Sequence, residues 1–215
     1  MIRAFKDRII ARAARSYVAG TELDDALRIC RAFNDRGVAV TACYWDDGAE
    51  EPTRVADHYR RLLVAADSER FPDFYLSVKA PALGYVVGLV RDLADESAAR
   101  GRRLHFDSLS PETADATFAA IEHALECGGE VGCTLPAGWR RSVADCERAL
   151  AIGLSVRVVK GQWPDPDQRN ADTGRAFLHL IDLLAGKARH VGVATHDGRL
   201  AVEALARLRA AGTPC

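Results

Sequence analysis

The chain lacks any apolar run near the roughly 20 residues that a bilayer-crossing helix needs, so no stretch reads as a membrane span. It also lacks an excess of either charge. With 29 basic and 30 acidic residues the formal net charge is −1, which gives no footprint for nucleic acid or for an anionic membrane surface. The first twenty residues, MIRAFKDRIIARAARSYVAG, hold no continuous apolar core ahead of a small-residue cleavage site. A secretory signal peptide is therefore not expected. The six cysteines (Cys30, Cys43, Cys127, Cys133, Cys146 and Cys215) form no C-x-x-C pair and no compact cluster with histidine. That pattern predicts reduced thiols in a cytoplasmic protein without a metal centre. A further absence bears on the fold: no glycine-rich turn follows the first predicted strand, as a dinucleotide-binding open sheet would require.

What is present is a regular alternation of helix and strand. Helical periodicity marks 5–19, Leu23 to Asn34, 52–68, Tyr85 to Ala99, Ser110 to Cys127, Ser142 to Ile152, Asp172 to Lys187 and Leu200 to Ala210. Between them lie short apolar runs: Val38 to Tyr44, Phe74 to Val78, Arg103 to Phe106, Glu130 to Leu135, the run beginning at Leu154, and His190 to Ala194. Thr21 to Asp24 and Ser142 to Asp145 have capping-box spacing, and Ser110-Pro111-Glu112 reads as an N-cap with proline at N1. Six strands with helical crossovers predict an α/β protein with a parallel sheet, either doubly wound or a (β/α)₈ barrel. Polar residues recur at the C-terminal ends of the strands, namely Asp46, Lys79, Asp107, Lys160 and His196. In a barrel those ends converge on one face and build the site, so the expected fold is a TIM-type barrel, incomplete at about six strands. One domain over 1–215 is expected, with lead-in helices in 1–36 and the barrel in 37–215.

The segment Leu154 to Trp163, LSVRVVKGQW, carries the sharpest chemical signal. Its β-branched and aliphatic residues suit a buried parallel strand, yet Arg157 lies within it and Lys160 closes it. A buried charge costs several kcal/mol unless paired. Two readings stay open at this point: carboxylates from neighbouring strands, or an anionic ligand at the strand's C-terminal end. A lysine ending a buried strand also suits a Schiff-base lyase or aldolase using Lys160 or Lys79. Lys79 and Asp107 are equally compatible with a plain mutual ion pair.

Taken together, several segments resemble the FAD-dependent proline dehydrogenases, in order and over nearly the whole chain. Tyr17-Val18-Ala19-Gly20 resembles the family's lead-in. Leu76-Ser77-Val78-Lys79 with Ala82-Leu83-Gly84 is similar to its second-strand motif, and His105-Phe106-Asp107 to its third-strand aspartate. Val156 to Gly161 (VRVVKG) resembles its fifth-strand signature and Ala194-Thr195-His196 its sixth-strand motif. The resemblance implies FAD lying across the strand C-termini, contacted by Arg157, Lys160, Gly161, Thr195 and His196. It places Lys79 and Asp107 beside the reacting centre and Trp163 on the substrate. It implies hydride transfer from L-proline, or a similar cyclic amino acid, to flavin N5, giving pyrroline-5-carboxylate in the first step of proline catabolism. A quinone is the implied electron acceptor. The departures are specific. Pro136 stands where the family has a glutamine amide, Trp163 where it has tyrosine, and Asp197 where it has asparagine. No strands seven and eight, and no final helix with paired arginines, are expected within these 215 residues. A catalytically incompetent barrel, or one associating through its open edge, is the corresponding alternative.

Overall fold

A computed structural model of the chain describes residues 18–46, 48–161, 164–168 and 172–215. The predicted helix over 5–19 falls almost wholly outside them, as does Trp163. The described elements run α1 (Leu23–Asn34), β1 (Val40–Ala42), α2 (Pro52–Ser68), β2 (Phe74–Val78), α3 (Val87–Ala99), β3 (Leu104–Phe106), α4 (Ala114–Leu125), β4 (Val131–Pro136), α5 (Ser142–Ala151), β5 (Ser155–Val159), α6 (Thr173–Leu184), β6 (Val191–Ala194) and α7 (Gly198–Ala210). The six strands form one sheet in sequence order, and every neighbouring pair is parallel.

Two-residue alternation divides each strand between two environments. Leu76, Val78, Leu104, Phe106, Val131, Cys133, Leu135, Val156, Val158 and Val191 are buried in the main core. Facing them, α2 contributes Val55, Ala56, Tyr59, Leu62, Leu63 and Ala66 at helical spacing, and α6 contributes Phe177, Leu180, Ile181 and Leu184. The alternate strand residues Tyr75, Ser77, His105, Thr134 and Arg157 turn to the other face. There Arg157 on β5 reaches Asp107 at the end of β3, and its Nη1 lies 3.5 Å from the Tyr75 hydroxyl on β2. Strands β2 and β5 are three strand spacings apart, about 14 Å in a flat sheet, where side chains stand roughly perpendicular to the sheet and these two would not meet. The sheet therefore curls with this polar face inside, as in a barrel wall. The expected incomplete (β/α)₈ architecture is the one observed.

Local signals were less reliable than the period. β1 is shorter at both ends than the predicted run from Val38 to Tyr44. The capping-box reading of Ser142 is corrected: Ser142 lies inside α5, and its Oγ donates to the Pro136 carbonyl at 2.6 Å. Asp145 pairs with Arg141 (2.8 and 3.0 Å) instead of returning to a cap. Glu22, not Thr21, is the N-cap of α1, with no side-chain cap bond. Asp172 and Asp197 do cap, accepting from Arg175 N at 3.0 Å and Leu200 N at 3.2 Å.

Candidate active site

Because all six strands are parallel, their C-terminal ends share one rim, and Lys79, Asp107, Lys160, Gly161, Thr195 and His196 follow directly from it. Lys79, Asp107 and Arg157 line a common cavity of about 160 Å³, with Trp45, Thr134 and Pro136 among its walls. A parallel sheet makes such convergence unavoidable for residues one position past a strand end.

Lys79 is held on β1's side of the cavity. Its Nζ donates to the Tyr44 carbonyl at 2.9 Å, lies 3.9 Å from Asp46 Oδ1 and sits 4.3 Å above the Trp45 ring. Its backbone N–H donates to the hydroxyl of buried Tyr59 at 3.1 Å, a phenol that burial holds far above its ordinary pKa. Lys79 is only 6% exposed, so the carbonyl, carboxylate and ring together replace its lost hydration. A direct Lys79–Asp107 ion pair, one of the sequence readings, is not formed. Asp107 instead pairs with Arg157, and its Oδ1 also accepts from Ser77 Oγ at 2.8 Å.

Arg157 is the hub of the inner face. Its Nε and Nη2 reach Thr134 Oγ1 at 3.2 and 3.0 Å, and Nη2 also pairs with Asp107. Thr134 Oγ1 lies 2.9 Å from His105 Nε2. His105 is 1% exposed, and burial, followed by the Arg157, Arg103 and His190 charges, pushes its pKa well below the usual histidine value. Of this cluster, the sequence pointed to Arg157 and Asp107; it held Ser77 and His105 only within quoted motifs and gave Thr134 no role. Strand alternation was the available signal, since residues 77, 105, 134 and 157 all fall on the inward parity.

The β5–β6 rim forms a second, adjoining group. Lys160 Nζ is 3.2 Å from Asp197 Oδ2, with both side chains about two-fifths exposed. The helix cap from Leu200 N, and then Lys160, hold the Asp197 carboxyl below its ordinary range. Thr195 Oγ1 accepts from Asp197 N at 3.1 Å, and His196 is exposed. Gly161 has φ 120°, a conformation that strains residues bearing a Cβ. Both cations of the segment from Leu154 to Trp163 thus have carboxylate partners, as the first sequence reading required. Arg157 on the cavity and Lys160 on the adjoining rim keep the second reading open as well. Pro136, in place of an amide, turns an apolar ring to the cavity and offers no side-chain hydrogen bond. Arg141 is tied to Asp115 and Asp145, so it presents no free clamp for a carboxylate. Among the described residues no group of three or more His, Cys, Asp or Glu is placed to hold a metal, and no helix is long and apolar enough to cross a membrane.

No protein-family model matches the chain. Two curated proteins named proline dehydrogenase 1, from Bacillus subtilis subsp. natto and Bacillus subtilis strain 168, are each 25% identical to it over 205 residues. The similarity covers 86% of this chain and 65% of each relative, so the chain spans about two-thirds of their length. Among solved structures, proline utilization A from Bdellovibrio bacteriovorus inactivated by N-propargylglycine superimposes with a TM-score of 0.76 at 16% identity, covering 98% of this chain and 28% of that one. Proline utilization A from Bradyrhizobium japonicum gives a TM-score of 0.68 at 19% identity, covering 79% and 22%. At those identities the structural likeness speaks for the fold alone. Motif order, sequence similarity and strand topology agree: over most of its length this chain resembles the proline dehydrogenases.

Proposed function

We propose that the chain is the flavin-holding part of a proline dehydrogenase-like oxidoreductase, organised as one barrel domain over 1–215 with lead-in helices in 1–36. The observation that carries this reading is the joint placement of Lys79, Asp107 and Arg157 on one cavity, with Lys160 and His196 on the adjoining rim. The donor set fits FAD. Arg157 and Lys160 are cations suited to an anionic flavin and its phosphates, Gly161 brings bare backbone to the rim, and Thr195 and His196 add polar side chains. Lys160 must exchange Asp197 for the ligand, which the exposure of that pair makes inexpensive.

When bound, FAD would supply hydride acceptance at N5 from the ring carbon of L-proline or a similar cyclic amino acid. The residues would do the rest. Arg157 places fixed positive charge where negative charge accumulates. Asp107, oriented by Ser77, keeps the guanidinium in one attitude. Lys79 offers a second cation at the cavity wall, and the Pro136 and Val159 side chains exclude water from it. A quinone as final electron acceptor, and Trp163 as a substrate contact, belong to the same proposal.

Equilibrium titration of the protein with FAD, followed by flavin fluorescence, tests it. Wild type should bind. Arg157→Ala should weaken binding about tenfold or more, the loss of one charge-assisted hydrogen bond, and by more than Lys79→Ala does. Absence of binding, or equal losses in both variants, would count against the reading. Borohydride trapping of a carbonyl compound on Lys79 or Lys160 would favour lysine-dependent lyase chemistry instead.

A further inference from the structure

We propose that Thr134 and His105 act as a brace that fixes the guanidinium of Arg157, with His105 accepting the Thr134 hydroxyl proton through a bare Nε2. This rests on the reading above only insofar as Arg157 meets a ligand; the brace itself is a property of the folded chain.

Proton accounting carries the argument. A threonine hydroxyl has one proton to donate and two lone pairs to offer. Arg157 directs two N–H groups at Thr134 Oγ1, Nε at 3.2 Å and Nη2 at 3.0 Å, and these fill both lone pairs. The hydroxyl proton then has two acceptors in range: His105 Nε2 at 2.9 Å and Asp107 Oδ1 at 3.5 Å. The nearer one is the imidazole. A proton on Nε2 would leave three N–H groups competing for two lone pairs. A Cβ built on Gly132 would lie 2.5 Å from His105 Nδ1 and 2.9 Å from the Ser155 carbonyl oxygen. Nδ1 itself has no hydrogen-bond partner among the described residues, so the assignment rests on the accounting at Thr134 Oγ1. Gly132 is what admits the ring, since any side chain there would expel it.

The purpose of such a brace is pre-organisation. An arginine loses considerable rotamer freedom when a ligand fixes it. Here Thr134 holds two of its nitrogens in advance and Asp107 shares one of them. Thr134 and His105 act through Arg157, not on a ligand, and are positioning residues.

The test begins on the protein without added flavin. Long-range ¹H–¹⁵N spectra of the histidine rings should show His105 protonated at Nδ1 and bare at Nε2, and the Arg157 Nε–H should exchange slowly with water. In Thr134→Val that exchange should quicken about tenfold or more, the loss of a charge-assisted bond, and in His105→Phe, which removes the neutral bond behind it, by a smaller factor. Thr134→Ser, which keeps the hydroxyl, and His105→Gln, whose carbonyl can accept, should restore slow exchange; a merely structural role would leave it tracking thermal stability. Flavin titration then reads the functional arm, with weaker FAD binding in Thr134→Val than in Thr134→Ser. A proton on Nε2 in the wild type, a measurement needing no variant, overturns the brace, as does unchanged exchange in Thr134→Val. Slow exchange with the expected tautomer but no FAD binding in the wild type would leave the brace standing and remove the flavin reading.

Discussion

Folding carries His105 from water into an interior shared with Arg103, Arg157 and His190, and burial first, those charges second, drive its pKa well below 6.5. In the unfolded chain the same imidazole takes up a proton near pH 6.5. Below that pH the unfolded state binds more protons than the folded one, so stability falls as pH falls, until the folded ring itself titrates. The urea midpoint should therefore drop between pH 7 and pH 5, and His105→Gln should flatten that dependence. It should not abolish it, because burial and Arg103 also lower the pKa of His190. Equal pH slopes for the variant and the wild type would contradict the argument. At this scale the sequence disclosed residue types and parity, but not partners. Arg157 announced itself by being charged within an apolar run. Thr134 did not, because its importance lies in what stands 23 residues later on the next strand, and curl determines which inward side chains meet.

Elements were far more legible, since hydrophobic period belongs to each segment alone. α1 and α2 and the strand β2 fall where the periodicity puts them, and the other elements differ by a few residues at their ends. Boundaries depend on local hydrogen bonds that compete, as when Ser142 prefers the Pro136 carbonyl to an N-cap. The glycine inside β4 shows how one element limits another. Gly132 lies opposite His105 in the β3–β4 register, and a methyl group there would collide with the ring and with the Ser155 carbonyl. Gly132→Ala should cost about 1 to 3 kcal/mol, the usual penalty of overpacking, in urea denaturation. Combining it with His105→Ala should recover part of that loss. Additive losses would show that ring and glycine are not coupled.

For the whole molecule, the consequential fact is that β1 and β6 remain sheet edges among the described residues. His190 and Ala194 carbonyls accept from Val156 N and Lys160 N on β5, so the intervening parity of β6 turns outward. On that outer side Val191 N donates to the Pro214 carbonyl at 2.9 Å, leaving Val193 as the next outward position. Exposed strand edges invite pairing with another chain. Sedimentation of the 215-residue chain should show concentration-dependent association, and Val193→Pro, which removes an outward N–H, should weaken it without loss of helical signal. An association constant unchanged by the substitution would assign the contact elsewhere. The hub at Arg157 adds a consequence in time. Each strand pairs with its successor in sequence, so the sheet can be laid down by successive short closures. The arginine's contacts instead bridge 50 residues to Asp107 and 82 to Tyr75. The site is thus among the last things the chain can make. During synthesis the rim would acquire its charge pattern only once the fifth strand has left the ribosome and curled back, so a nascent chain shorter than that has secondary structure to protect but nothing yet with which to capture a ligand.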